Sequence, residues 1–132
     1  MEKADALQKL LITTKENSAI IEFDNEAKIL VLRGHSLPEN SYYFFIPIFE
    51  WTERYLKTLP DKTTLTIAFE YLHTGATKQI FELIRILKKS EANGNSITVN
   101  WYHEDDDDDM RDLGKQFSSA FDMPFNFETF ES

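Results

Sequence analysis

The sequence has no cysteine, which excludes disulfide bonds, thiolate nucleophiles and zinc sites built on cysteine. Glycine and proline are scarce, at four copies each in 132 residues, so a low-complexity or disordered chain is not expected. Apolar stretches are far shorter than the roughly 20 residues that span a bilayer. Residues 1–9 are charged and lack the apolar run of a signal peptide. These absences predict a folded cytoplasmic protein with no membrane segment.

Acidic residues outnumber basic ones by 23 to 14, and the formal net charge is −9. Nucleic acids and anionic lipid surfaces require clustered Lys and Arg, so neither is an expected partner. Hydrophobic residues make up 42% of the chain, including 11 phenylalanines, and can form a real core. No repeat or flexible linker divides the chain. It is therefore predicted to be one domain, residues 1–132, in which residues 1–10 form a frayed lead-in.

Apolar periodicity predicts strands alternating with helices. The first elements are a short strand at residues 10–14 and a hairpin of residues 19–23 and 29–33. A helix is expected over about residues 42–57, starting from a capping box at 36–39, with Asn40 or Ser41 as the other candidate caps. Pro47 in this segment requires the main helix to begin near it, with a looser turn before it.

The second half of the chain continues the alternation. A strand is expected at residues 64–72, followed by a helix with Ile80, Leu83, Ile84 and Leu87 on one face. A strand at residues 97–101, a short helix at 110–117 and a last strand at 125–129 complete the order. This order predicts an α/β domain with a mixed β-sheet covered by about three helices.

Two threonines lie where the 64–72 strand leads into the next helix. A helix N-terminus has unpaired N–H groups and partial positive charge, so the fold would tolerate a phosphate on Thr74 or Thr77. Such a phosphate adds about −1.5 to −2 charges to the surface. Gly75 keeps the turn compact. The other interpretation is that one threonine only caps the helix.

Six consecutive acidic residues, 104–109, precede the third helix. They lack the spaced D-x-D-x-D-G pattern of a calcium loop, so a solvated loop whose last aspartate caps the helix is favoured over a metal site. A docking surface for a basic partner is the second interpretation. A metal-dependent hydrolase that combines His103 with this run would need metal binding, which the pattern does not favour.

The chain shows little sign of catalytic chemistry. Its three histidines, His35, His73 and His103, are scattered. A nucleophile formed by His73 and Thr74 has poor geometry, because neighbours in an extended strand point to opposite faces. Glycine-rich phosphate loops, nucleophile elbows and H-E-x-x-H motifs are absent. A non-enzymatic protein without metal or cofactor is therefore expected.

Aromatic residues cluster at the start of the first helix: Tyr42, Tyr43, Phe44, Phe45, Phe49 and Trp51. One helix face cannot bury all of them. Either some form an exposed patch that suits a protein interface, or most pack beneath the sheet.

Three stretches together resemble the SiaC family of bacterial regulatory phosphoproteins. They are GHSLPEN at residues 34–40 followed by Pro47-Ile48 and Trp51, then FEYLHT at residues 69–74, then Trp101-Tyr102 leading through the acidic run to Met110. The resemblance extends from about residue 11 to residue 127. It implies a STAS-like fold and no enzymatic activity. It also implies a threonine phosphorylated by a dedicated kinase and restored by a PP2C-like phosphatase. The unphosphorylated form is implied to bind and activate a diguanylate cyclase, which raises cyclic di-GMP and favours biofilm formation.

The resemblance places the phosphorylated threonine at Thr74, with Thr77 as the fallback. The family's Tyr-Leu-Asn-Thr-Ser-Ser is here YLHTGA, residues 71–76, so His73 and Gly75-Ala76 depart from the pattern. The partner-binding face is expected around this turn, at His73, Gly75 and Lys78, and in the earlier loop, at Pro38, Glu39 and Asn40. The alternative function is an acidic scaffold or decoy that binds a basic partner independently of phosphorylation.

Overall fold

The computed structural model describes residues 6–130. Six strands form one sheet: β1 (Leu10–Thr13), β2 (Ile20–Asp24), β3 (Ile29–Gly34), β4 (Lys62–Phe69), β5 (Ser96–His103) and β6 (Asn126–Thr129). Three α-helices join the later strands: α1 (Ser41–Leu56), α2 (Thr74–Lys89), which a 3₁₀ turn at Ser90–Asn93 extends, and α3 (Asp108–Ala120). The predicted mixed sheet with three helices is confirmed.

The strands lie in the sheet in the same order as in the sequence. β1, β2 and β3 are antiparallel neighbours, whereas β3, β4, β5 and β6 are parallel. Each parallel step crosses over through one helix and moves in the same direction across the sheet. Because such crossovers are right-handed, all three helices lie on one face. The other face of the sheet has no helical cover within residues 6–130.

The core lies between the sheet and its helices. In β4, Leu65, Ile67 and Phe69 are fully buried beneath the helices, while Thr64 and Thr66 on the opposite face are partly exposed. The predicted helix face of Ile80, Leu83, Ile84 and Leu87 is buried as expected. Trp101 in β5 is fully buried, and its indole N–H donates to the carbonyl of Met110 at 2.9 Å. Alternating burial therefore fixes which sheet face the helices cover.

The start of α1 differs from the prediction. The expected capping box at residues 36–39 is wrong, because the residue at the cap is Asn40 and its side chain makes no capping bond. Ser36 is instead buried and its hydroxyl accepts from the side-chain amide of Asn17 at 3.0 Å. The hydroxyl of Ser36 therefore stabilises the packing of the loop and does not cap the helix.

Pro47 also differs from the prediction. α1 runs without a break from Ser41, so Pro47 lies inside the helix, with no looser turn before it. Pro47 is exposed, while its neighbours Phe45 and Ile48 are fully buried on the opposite face. The buried face anchors the helix on both sides of the proline. Water can satisfy the carbonyl of Tyr43, which loses its helical donor.

Other boundaries are close to those expected. The 19–23 and 29–33 hairpin is confirmed, as are the strands near residues 10–14, 97–101 and 125–129. The strand expected to reach Leu72 ends at Phe69, because residues 70–72 form the turn into α2. The predicted lead-in falls partly on residues 1–5, which lie outside the described residues. After it, the carbonyl of Gln8 accepts from the indole of Trp51 at 2.6 Å.

Candidate regulatory site at the start of helix α2

Three loops meet at one edge of the sheet. Because β3, β4 and β5 are parallel, the segments that follow them, residues 35–40, 70–73 and 104–107, leave the sheet at the same edge. The crevice beyond the carboxyl ends of parallel strands is the usual place for a functional site in α/β proteins. Thr74 and the acidic run, which are thirty residues apart in sequence, therefore share one end of the molecule.

Thr74 is the first residue of α2 and is exposed. The proposal that it only caps the helix is wrong, because the cap residue is His73, whose backbone is extended at φ −80° and ψ 167°. Thr77 is partly buried, and its hydroxyl donates to the backbone carbonyl of His73 at 3.1 Å. The hydroxyl of Thr74 is thus the more accessible of the two candidate acceptors.

His73 connects two loops. Its Nδ1 accepts the backbone N–H of Ala76 at 3.2 Å, and its Nε2 lies 3.0 Å from the carbonyl oxygen of Pro38. Since Nδ1 accepts, the ring proton is on Nε2, which donates to Pro38. Both ring nitrogens are occupied, so neither is free to act as a base toward Thr74. The imidazole holds the turn before α2 against the loop before α1.

Gly75 permits the starts of α1 and α2 to approach each other closely. A Cβ added at residue 75 would lie 3.3 Å from Cε1 of His73 and 3.3 Å from Oγ of Ser41. Both distances are tighter than ordinary van der Waals contact. Glycine at this position therefore leaves room for the imidazole beside the first residue of α1.

The electrostatics of this helix start suit an anion. The first turn of α2 contains no acidic residue, so none of its own side chains offsets the positive end of its dipole. Lys78 is exposed four residues after Thr74, on the same face of the helix. A phosphate on Thr74 would therefore have favourable surroundings within the domain itself.

The acidic run is divided between a helix cap and the surface. Asp107, not the last aspartate of the run, caps α3, because its Oδ1 accepts the backbone N–H of Met110 at 3.0 Å. Asp108 pairs with Arg111 at 3.2 Å. Among residues 6–130, no group of three or more His, Asp or Glu side chains is placed to hold a metal ion.

The two other histidines have partners of their own. His35 pairs with Glu70 at 3.1 Å, and both side chains are exposed. His103 is buried, and its Nδ1 lies 2.8 Å from the carbonyl oxygen of Glu104, which accepts its proton. That contact holds the imidazole of His103 against the backbone that opens the acidic run.

A cleft separates the α2 turn from the acidic run. Its volume is about 400 Å³, and it is lined by Glu70, Tyr71, Leu72, Asp107, Asp109, Met110 and Leu113. Its lining combines the apolar side chains of Leu72, Met110 and Leu113 with three carboxylates. Tyr71, three residues before Thr74, is 57% exposed at this edge. Sequence reasoning missed this cleft, although the shared edge of the parallel strands was the signal for it.

Comparison with known proteins identifies the family. The model of the SiaC family of regulatory phosphoproteins matches residues 12–130. This chain belongs to the SiaC family. The same fold occurs in a structure of SiaC of Pseudomonas aeruginosa, which is 24% identical, with a TM-score of 0.82 over 93% of this chain and 99% of that chain.

Two further relatives extend the likeness. One is a chain in the crystal structure of diguanylate cyclase SiaD in complex with its activator SiaC from Pseudomonas aeruginosa. It is 25% identical, with a TM-score of 0.82 over 92% of this chain and 99% of that chain. The other is an uncharacterised protein of Pseudomonas aeruginosa strain UCBPP-PA14, 25% identical over 119 residues, which are 90% of this chain and 94% of that protein. Both matches span nearly the whole of each chain.

In this SiaC-family chain, the predicted partner-binding residues lie in two segments that the contact between Pro38 and His73 joins. Pro38 contacts His73 directly, and Gly75 and Lys78 lie in the first turns of α2. Glu39 and Asn40 are exposed in the loop before α1. Within residues 6–130, no helix has the length and apolarity needed to cross a bilayer.

Proposed function

We propose that this protein is a cytoplasmic, non-enzymatic regulator whose unphosphorylated form binds and activates a diguanylate cyclase, and that phosphorylation of Thr74 ends this binding. The observation that carries the proposal is that Thr74 is exposed at the first position of α2, in a chain of a regulatory phosphoprotein family. The relative found in complex with diguanylate cyclase SiaD supports the choice of partner.

The surroundings of Thr74 allow phosphorylation without refolding. A phosphate at the first position of α2 meets unpaired helix N–H groups and no acidic side chain in the first turn. The dianion must lose its water when a partner covers it, and that loss has no compensation in an apolar contact. A penalty of roughly 2–3 kcal/mol lowers affinity about 30- to 150-fold, which is enough for a switch.

A dedicated kinase and a PP2C-like phosphatase complete the proposed cycle. Both enzymes require an accessible residue, and Thr74 is exposed, whereas Thr77 is partly buried with its hydroxyl bonded to the carbonyl of His73. Kinase recognition would use the surface around the acceptor, where His73 and Gly75 depart from the family pattern.

The test compares four proteins: wild type, Thr74→Ala, Thr74→Glu and the matched control Thr77→Ser, which retains a hydroxyl that can donate to His73. Affinity for the cyclase and cyclic di-GMP production by the cyclase are measured for each. Thr74→Ala and Thr77→Ser are expected to bind like wild type, and Thr74→Glu to bind at least tenfold more weakly. Equal binding by Thr74→Glu and wild type would remove Thr74 from the mechanism.

Kinase treatment identifies the acceptor. Phosphate is expected on wild type and on Thr77→Ser and absent from Thr74→Ala, as measured by intact-mass spectrometry. Phosphate on Thr74→Ala would transfer the switch to Thr77.

The alternative is an acidic scaffold that binds a basic partner irrespective of Thr74. The carboxylates of Glu70, Asp107 and Asp109 around one cleft favour it as second candidate. Binding that weakens steeply with salt and is insensitive to Thr74→Glu would support this alternative.

A further inference from the structure

The middle of the sheet face that the helices leave uncovered is polar, and its side chains bond one another. The side-chain amide of Asn126 donates to Asn100 at 3.0 Å, and that of Asn100 donates to the hydroxyl of Thr66 at 3.4 Å. These bonds cross β6, β5 and β4, so the polar groups in the middle of the face have protein partners. This part of the face therefore resembles an ordinary solvated surface and not a binding site.

A pocket lies on the same face, at the end where β3 and β4 finish. Its volume is about 470 Å³, and its lining includes Arg33, Gly34, His35, Ala68, Glu70 and Phe130. Ala68 comes two residues after Thr66 in β4, so both lie on the uncovered face, and Arg33 lies opposite Ala68 in the register of β3 and β4. Because residue 68 is alanine, little side chain fills the space between Arg33 and Phe130. Pockets of this size bind small molecules.

Backbone contacts fix two walls of this pocket. Gly34 has φ +137°, and a Cβ at this residue would clash with the carbonyl oxygen of Ser18, so only glycine allows these two segments to meet. At the other wall, the backbone N–H of Phe130 donates to the carbonyl of His103 at 3.2 Å. The ring of Phe130 packs against that of Tyr102, with 5.7 Å between centroids. The walls are therefore set by the fold, and a ligand would find the pocket already formed.

Arg33 brings to the pocket a positive charge that the fold does not use. Its neighbours in the register of the sheet are Ile20 and Ala68, whose side chains accept no hydrogen bond. In the part of the chain that the structure describes, Arg33 has no ion pair, whereas Arg85 and Arg111 each pair with a carboxylate. An unpaired guanidinium that lines a pocket, in a chain with a net charge of −9, suits an anionic ligand.

Glu70 adds a hydrogen-bond acceptor to the same pocket. Nδ1 of His35 lies 3.1 Å from Oε1 of Glu70, and since a carboxylate only accepts, the imidazole donates. That bond leaves Oε2 of Glu70 and Nε2 of His35 without a partner among the described residues. Both side chains are exposed, so these two atoms are available to a ligand.

The groups in the pocket match those of one nucleotide. Arg33 suits a phosphate, and a flat base can lie on Ala68 beside Phe130, since bases stack on aromatic side chains whatever their sequence. Guanine presents N–H donors at N1 and N2 to a carboxylate such as Glu70, whereas adenine presents an acceptor at N1, which a carboxylate repels. Polymeric nucleic acid is still not expected, because one arginine offsets one phosphate and no more.

We propose that this pocket binds a guanine nucleotide, with the phosphate at Arg33, the base over Ala68 beside Phe130, and the N–H groups of the base donating to Glu70. Glu70 lies four residues before Thr74, in the turn that leads into α2, so the ligand contacts the segment that carries the proposed switch. Cyclic di-GMP contains two such nucleotides. A role of the pocket in sensing that product rests on the proposed function, whereas the binding site itself does not.

The experiment titrates GMP into the full chain by calorimetry and compares wild type with Arg33→Gln and the matched control Arg85→Gln. Arg85 is exposed on α2, on the helical side of the sheet, so the control makes the same chemical change away from the pocket. Both arginines are exposed, so both variants are expected to fold, which circular dichroism checks. Arg33→Gln is expected to bind GMP at least about tenfold more weakly, because a charged hydrogen-bond donor is lost. Arg85→Gln should bind within twofold of wild type.

Base selectivity tests the role of Glu70. Wild type is expected to bind AMP at least about tenfold more weakly than GMP, and inorganic phosphate more weakly still. Glu70→Gln should bring the affinities for GMP and AMP together, because an amide both donates and accepts. A merely structural role of Glu70 would leave this ratio unchanged.

Several outcomes would overturn the inference. They are no saturable binding of GMP by wild type, equal binding of GMP by Arg33→Gln and wild type, and inorganic phosphate binding as tightly as GMP, which would reduce the pocket to an anion site. Equal affinities of wild type for GMP and AMP would overturn the assignment of guanine. Binding of GMP but not of cyclic di-GMP would overturn the role in product sensing. The comparison of Thr74→Glu with wild type in cyclase binding does not depend on these results, so the pocket and the proposed function can fail separately.

Discussion

The two ends of the parallel strands are built differently. At the end where the strands begin, four buried side chains form a continuous hydrogen-bond chain: Tyr55, Thr63, Asn95 and Ser90. The Tyr55 hydroxyl lies 2.7 Å from that of Thr63, which donates to Asn95 at 3.1 Å, and Asn95 donates to Ser90 at 3.0 Å. At the end where the strands finish, one imidazole bridges two loops, and Glu39, Asn40 and Thr74 in or beside these loops are exposed.

The difference shows how stability and function are separated in this fold. Buried polar groups must be paired to be stable. The side chains of the first network bond one another, so the network makes this end rigid and has no free polar group for a partner. The second end keeps Thr74, Tyr42 and Tyr71 in water and relies on few contacts. Variants at the two ends should therefore affect unfolding and binding in opposite proportions.

The largest effect on stability is expected from Asn95→Ala. The change leaves Thr63 without its acceptor and Ser90 without its donor, both in the buried network. Unsatisfied buried groups cost about 1–3 kcal/mol each, so the free energy of unfolding should fall by about 2–3 kcal/mol. Urea denaturation measures it, and cyclase affinity of the folded protein should stay within twofold of wild type. A tenfold loss of affinity would show that the two ends are coupled.

His73→Ala should have a smaller effect on stability and a larger one on binding. It removes the cap of α2 and the contact with Pro38, which together stabilise the fold by about 1–2 kcal/mol. His73→Asn is the matched control, because asparagine caps helices well but is too short to keep both bonds. If the bridge orients the docking surface, His73→Asn should retain stability and still lose affinity. If His73→Asn binds the cyclase with the affinity of wild type, the imidazole serves only as the cap of α2.

The helices and strands at both ends were largely predictable from the sequence. The spacing of apolar residues alone predicts α2 and β5. Ile80, Leu83 and Leu87 repeat at helical spacing, and Ile97, Val99 and Trp101 alternate as in a strand. The cap at His73 was not predictable, because histidine is not a preferred N-cap and its role depends on Pro38, 35 residues away. The exposure of Tyr42 and Tyr43 depended on the rotation of α1, which Phe45, Ile48 and Trp51 decide together.

Tyr55→Phe tests the closed end through its pH dependence. Burial raises the pKa of Tyr55 above its ordinary value of 10. The folded state thus holds this proton more tightly than the unfolded chain, and the stability that it contributes is present below pH 10 and lost as the pH rises through the folded pKa. Phenylalanine should lower neutral stability by about 1 kcal/mol and make the alkaline decline shallower. Thermal unfolding at a series of alkaline pH values measures the decline in stability. Declines of equal slope in wild type and Tyr55→Phe would contradict this assignment.

Thr74→Glu should have the smallest effect on stability, and of opposite sign. A carboxylate at the first position of α2 meets the positive end of a helix dipole that no acidic side chain offsets, so unfolding should become harder by about 0.3–1 kcal/mol at low salt. The same variant should bind the cyclase at least tenfold more weakly, because docking must strip water from the new charge. Thr74→Gln, of equal size and uncharged, separates charge from bulk. A stabilised fold that binds less well is the signature of a site selected for a partner, whereas a destabilised Thr74→Glu would mean that the helix start cannot accept an anion.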